Sequence, residues 1–89
     1  MDITYDPSKD RSNQQKHGVS LAEASDMDWD TALERLDARD DYGEDRYQAL
    51  GFIGDRLYCA VYVDREDGRR MISLRKANNR EYKEYERSY

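Results

Sequence analysis

Arg70-Met71-Ile72-Ser73-Leu74-Arg75-Lys76-Ala77-Asn78-Asn79-Arg80-Glu81 contains the change of period that decides this fold. Ile72 and Leu74 alternate with Met71, Ser73 and Arg75, which predicts a half-buried strand with Ile72 and Leu74 on its core face. Asn78 is a good helix N-cap, and Glu81 follows at the spacing that lets a carboxylate reach back to the cap. The strand therefore ends in two cations, Arg75 and Lys76, beside a helix N-terminus whose free N–H groups favour anions. In an acidic chain, cations fixed at that point imply a phosphate or nucleic-acid partner.

Upstream of this stretch the period is again two. Arg46 to Ile53 predicts a strand and Gly54-Asp55 a hairpin turn. The next strand has Leu57, Cys59, Val61 and Val63 on one side and Tyr58, Ala60 and Tyr62 on the other. A second hairpin loop is expected over Asp64-Arg65-Glu66-Asp67-Gly68; in the segment Trp29 to Arg39, Leu33 and Leu36 fit one helical face or an edge strand over Thr31 to Leu36, of which the strand is preferred. Residues 37–45 read as a solvated acidic loop.

At the N-terminus, Asp6-Pro7 is an N-cap followed by proline at the first helical position, and Gly18 supplies a left-handed stop. The helix between them contains no ordinary core residue, so it lies on the surface or presents polar groups for use. Lys9, Asn13, Lys16 and His17 share one of its faces. Ser20 and Glu23 form a second capping box opening a helix from Leu21 to about Met27, which buries Leu21, Ala24 and Met27. Downstream, a helix from Asn79 to about Arg87 aligns Tyr82, Tyr85 and Tyr89. The expected fold is α+β, an antiparallel meander with two N-terminal helices and one C-terminal helix, forming one domain over residues 1–89.

Composition narrows the function. Charged residues (39%) outnumber apolar ones (37%), so the core is small. No stretch approaches the roughly 20 apolar residues of a membrane span, and Met1 to Asp6 lacks the pattern of a signal peptide. Cys59 has no partner for an internal disulfide, and no His/Cys cluster suggests a metal. A reduced, cytoplasmic setting without cofactor is expected. The net charge of −5 divides unevenly: residues 1–45 hold 13 acids and 5 bases, residues 46–89 hold 7 acids and 10 bases. Local cations decide contact, so an acidic chain can still carry a basic groove.

Tyr5-Asp6, Lys9, Asn13 and Lys16-His17-Gly18-Val19 resemble the N-terminal signature of the BrnT-type toxins. Glu23-Ala24, Gly43-Glu44 with Arg46, Gly51, Arg56-Leu57, the run Met71 to Ala77 and Tyr85 are similar in order and spacing. Two departures stand out: Tyr5 replaces a usual tryptophan, and Asp28-Trp29-Asp30-Thr31 replaces an apolar aromatic and Asp-Pro. The resemblance implies a RelE-like fold and a metal-independent ribonuclease that arrests translation. It also implies a BrnA-type antitoxin with a ribbon-helix-helix DNA-binding domain.

Under that reading, RNA cleavage needs a proton carrier and cations around the phosphate. Histidine is the side chain whose ordinary pKa suits proton transfer near neutrality, which gives His17 the acid/base role. Glu23 is a second proton carrier or an orienting partner. Lys9, Lys16, Arg75 and Lys76 hold the phosphate. Asn13, Arg46, Arg70 and Arg80 extend the groove, and Tyr58 or Tyr62 stacks on a base. Each has a plainer alternative: His17 as a helix-dipole cation, Glu23 as a cap, Asn13 as a loop anchor, Arg75 and Lys76 as a solvated strand end. A non-catalytic nucleic-acid-binding or co-repressor subunit, or a protein-interaction domain whose cations meet an acidic partner, uses the same residues without cleavage.

Overall fold

A computed structural model describes residues 1–37 and 43–88; most of the expected acidic loop, and Tyr89, lie outside the described residues. The elements are β1 (Ile3–Thr4), α1 (Pro7–His17), a 3₁₀ helix (Leu21–Asp26), β2 (Leu33–Leu36), β3 (Tyr47–Ile53), β4 (Arg56–Arg65), β5 (Gly68–Lys76) and α2 (Asn79–Arg87). They form one five-stranded sheet in the order β1-β5-β4-β3-β2.

β2 to β5 form the expected antiparallel meander, but the sheet is mixed because β1 runs parallel to β5. Ile3 lies opposite Arg69 and Thr4 opposite Arg70. Gly68 makes this possible: its φ is 137°, and a Cβ there would stand 2.5 Å from the Asp2 carbonyl oxygen. The second hairpin is tighter than expected, since β4 runs on to Arg65 and β5 starts at Gly68. The second helix is 3₁₀ rather than α. Its apolar residues explain this, because Leu21, Ala24 and Met27 recur every three residues and so stack on one side of a three-residue turn.

The largest departure from strict alternation lies in β5. Val61 pairs with Ser73 but Tyr62 pairs with Met71, so Ile72 is one residue too many. Such a bulge reverses the facing of everything before it. Met71 and Leu74, three apart, are both fully buried on one face, while the expected core residue Ile72 is only half-buried. By the same shift Arg70 comes to share a face with Ser73 and Arg75.

Each sheet face has its own core. One holds Ala49, Ala60, Tyr62, Met71 and Leu74 under Val19, Leu21, Ala24 and Met27. The other holds Leu50, Leu57 and Cys59 with Ala77, against which Tyr82 and Tyr85 of α2 pack. The Tyr85 ring meets Phe52 edge-on at 5.5 Å.

α1 joins this structure through polar groups. Asp6 caps it by accepting from the Ser8 N–H at 2.8 Å, and Gly18 ends it at φ 71°. Asp10 Oδ1 accepts from the Leu21 N–H at 2.8 Å and from the Ser20 hydroxyl, bonds that hold its carboxyl below the usual range. Asn13, buried to 4% exposure, acts as a substitute strand. Its Oδ1 accepts from the Leu74 N–H at 3.0 Å while its Nδ2 donates to the Leu74 carbonyl at 2.8 Å and to the Val19 carbonyl at 2.9 Å. Replacing it strands three buried main-chain groups at once. Asn13→Leu is expected to cost about 3 kcal/mol of stability in urea denaturation, against less than about 0.5 kcal/mol for the exposed Gln15→Ala. Equal midpoints for the two variants would remove Asn13 from this role.

Candidate nucleic-acid interface

The bulge sets out an arginine-rich surface on the α2 side of the sheet. Arg70, Ser73 and Arg75 lie there with their β4 partners Val63, Val61 and Cys59. Arg35 joins from β2, with its Nε donating to Gln48 Oε1 at 2.9 Å. Arg46, two residues before Gln48, falls on the same side by alternation. Arg80 projects from the first turn of α2 and is exposed. Arg35, Gln48, Arg75, Arg80 and Glu81 line a groove of about 360 Å³, with Leu36 and Asp37 at its side.

These arginines are held very differently. Arg75 forms a two-pronged pair with Glu81, Nη1 to Oε1 and Nη2 to Oε2 both at 2.8 Å, and the Glu81 side chain is 4% exposed. Glu81 also completes the α2 capping box: it accepts from the Asn78 N–H at 2.9 Å, and its own N–H donates to Asn78 Oδ1. The helix N-terminus expected to attract an external anion is thus already occupied by Glu81. Arg75, foremost, together with the Asn78 N–H, pulls the Glu81 carboxyl down to about 2 against the opposing effect of burial. By contrast Glu84, which pairs with Arg35 and lies 3.7 Å from Arg80, belongs to a looser group. The Arg35 side chain is 41% exposed and that of Arg80 83%. Pairs this open contribute about 0–1 kcal/mol, so they exchange readily.

A second, smaller depression lies where α1 crosses the outer edge of β5. Lys9, Ser12, Asn13, Lys16 and His17 line it with Ile72 and Ser73. Its volume of about 160 Å³ has room for roughly five waters, the scale of a phosphate group rather than a base. Lys9, Lys16 and His17 are exposed around it.

Several expected site residues stand elsewhere. Among the described residues, Arg75 lines the first depression and His17 the second, and no residue lines both. Lys76 pairs with Tyr58 on the opposite sheet face from Arg75, so the two consecutive cations form no single patch. Tyr58 is half-buried against the α1-side core. Tyr62 is 2% exposed, with its ring stacked at 5.8 Å on Tyr47 and its hydroxyl donating to Glu34, so it has no free face for a base. Glu23 accepts from the Ser20 N–H at 3.2 Å, the cap its spacing implied, and Asn13 has its amide engaged in the edge of β5. The sequence reading passed over Arg69. Its guanidinium lies 4.0 Å above Tyr62 and 4.7 Å above Trp29, bound to Asp64 at 2.7 Å and to Glu34. Only the folded register shows that this arginine is structural while its neighbour Arg70 lies on the α2 side of the sheet.

A small mixed sheet with a basic face and two helical covers defines the class. The fold is similar to the crystal structure, at 1.1 Å, of the Brucella abortus ribonuclease toxin, BrnT, with a TM-score of 0.70 and 23% identity. That match covers 89% of this chain and 99% of the other. No curated protein sequence matches. The family model for "Ribonuclease toxin, BrnT, of type II toxin-antitoxin system" matches residues 5–81, and this chain belongs to that family. Membership implies ribonuclease activity at the level of the family and an antitoxin partner. Among the described residues, no helix is long and apolar enough to cross a membrane.

The Arg75–Glu81 pair has a pH signature. Because the folded state lowers the Glu81 pKa from 4.5 to about 2, its contribution is complete above 4.5 and fades as pH falls towards 2. Glu81→Gln should therefore cost roughly 3 kcal/mol near neutrality, with the gap to the unaltered protein closing towards about pH 2 in urea titrations followed by circular dichroism. A gap that stays constant with pH would refute the assignment.

Proposed function

We propose that this chain is the toxin of a type II pair that cleaves RNA and thereby arrests translation in the cytoplasm, using its own side chains for proton transfer and charge stabilisation. A BrnA-type ribbon-helix-helix antitoxin neutralises it and makes the operator contacts. The observation that carries the reading is the position of Ser73. It lines the α1 depression beside Lys9, Lys16 and His17, and its side chain shares the sheet face of Arg70 and Arg75. A phosphate backbone crossing β5 at Ser73 meets lysines on one side and arginines on the other.

In this mechanism the 2′-oxygen attacks phosphorus and loses its proton, the bond to the 5′-oxygen breaks, and that oxygen takes up a proton. The products are a 2′,3′-cyclic phosphate and a 5′-hydroxyl end. His17 is the proton carrier at the rim. Lys9 and Lys16 stabilise charge on the phosphate, and Arg46, Arg70 and Arg80 guide the flanking backbone. Arg75 contributes field rather than contact, since Glu81 occupies both prongs of its guanidinium. Glu23 and Asn13 shape α1 and its exit and take no part in the chemistry.

His17→Ala is expected to slow RNA cleavage by about 100-fold or more and to relieve growth arrest on induction, while binding of a non-cleavable RNA stays nearly unchanged. Persistent arrest by a folded His17→Ala protein would exclude His17 as the proton carrier and favour the non-catalytic binding role. Replacing Arg46 and Arg70 together with glutamine should weaken RNA binding and flatten its log–log salt slope by roughly 1.4, the value for two single-strand phosphate contacts. An unaltered slope would take these two arginines out of the RNA path.

A further inference from the structure

We propose that Arg35 and Arg80 form a phosphate-binding subsite that Glu84 fills until RNA arrives. The inference rests on the reading of this face as the RNA-binding surface, and it adds an arginine from β2 and a built-in competitor to it. Arg35 reaches Glu84 from the sheet and Arg80 approaches it from the preceding turn of α2, so two guanidinium groups from different elements converge on one carboxylate. A phosphodiester oxygen pair has the same charge and forked geometry, and charge-assisted contacts from arginine suit either group.

What separates this subsite from the Arg75 pair beside it is the ease of exchange. Glu81 is buried, two-pronged and engaged in the helix cap, so no phosphate displaces it without dismantling the start of α2. Glu84 has no cap to hold it and is only partly buried: its side chain is 27% exposed, against 4% for Glu81, and its two arginine partners are open to solvent. Arg35 is meanwhile aimed into the groove by Gln48, which accepts from its Nε and remains in place when Glu84 leaves. Asp37 lines the same groove and, with Glu81, sets the negative background a phosphate meets there.

The test uses a 2′-O-methyl oligoribonucleotide, which binds without being cleaved, titrated against the full chain at several salt concentrations. Glu84→Gln should tighten binding roughly five-fold and steepen the log–log salt slope by about 0.7, one added single-strand phosphate contact. Glu86→Gln makes the same change in net charge on the same helix at an exposed residue and should leave affinity within about two-fold. In a Glu84→Gln background, Arg35→Gln should abolish the gain. Equal effects of Glu84→Gln and Glu86→Gln would reduce the subsite to net charge and overturn it. Survival of the gain without Arg35 would overturn it as well. If neither the unaltered chain nor any variant binds the oligonucleotide, the RNA-binding reading itself fails and the subsite goes with it. Thermal unfolding of each variant, expected to stay close to that of the unaltered chain, keeps a folding defect from imitating any of these results.

Discussion

One surplus residue in β5 controls the chemistry of this molecule. A strand without the bulge at Ile72 would place Arg70 and Arg75, five residues apart, on opposite faces of the sheet. It would equally place Met71 and Leu74 on opposite faces, with one of them outside the core they now share. The bulge settles both needs together: the apolar pair turns to the α1-side core and the arginine pair to the α2 side of the sheet. The site is therefore a by-product of how the core is filled, and it cannot drift in register without exposing Met71 or Leu74.

Charge on this face is organised by exposure more than by count. Arg35, Arg75 and Arg80 each have a carboxylate beside them, yet those neighbours differ in what they do. Burial makes the Arg75–Glu81 pair a permanent part of the architecture, because separating it would leave a charge without water. Solvent access makes the Arg35–Glu84–Arg80 group a reversible one. The Arg69 clasp between Trp29 and Tyr62 is the structural extreme, tying β2, β4 and β5 together through aromatic faces and two acids. Three neighbouring arginine environments thus serve three purposes on one small sheet.

Local signals in the sequence matched the elements they govern. Asp6-Pro7 and Gly18 bounded α1, the two capping boxes opened their helices, and Gly54-Asp55 turned β3 into β4. What alternation alone could not reveal was the bulge, since a single unpaired residue leaves no mark in an apolar pattern as short as Met71 to Leu74. That omission put Ile72 in the core, whereas Arg75 and Lys76 are parted by simple alternation, which sends consecutive strand residues to opposite faces. Asp2 to Tyr5 reads as short and extended, but its parallel pairing with β5 was hidden, because a two-residue strand has no period from which to read a partner. The partition of the arginines was illegible as well: Arg69 and Arg70 are identical letters, and only register assigns one to the aromatic side and the other to the α2 side of the sheet.

The polar fastening of α1 has a thermodynamic corollary. A helix seated on apolar area draws on a driving force tied to heat capacity, whereas this one is held through the Asn13 amide and the Asp10 carboxylate. Lifting it off exposes little hydrocarbon, so its release absorbs enthalpy with scant change in heat capacity, and warming favours that release steadily. The lysine and histidine rim therefore rests on a hold whose response to heat differs in kind from that of the apolar sheet beneath it.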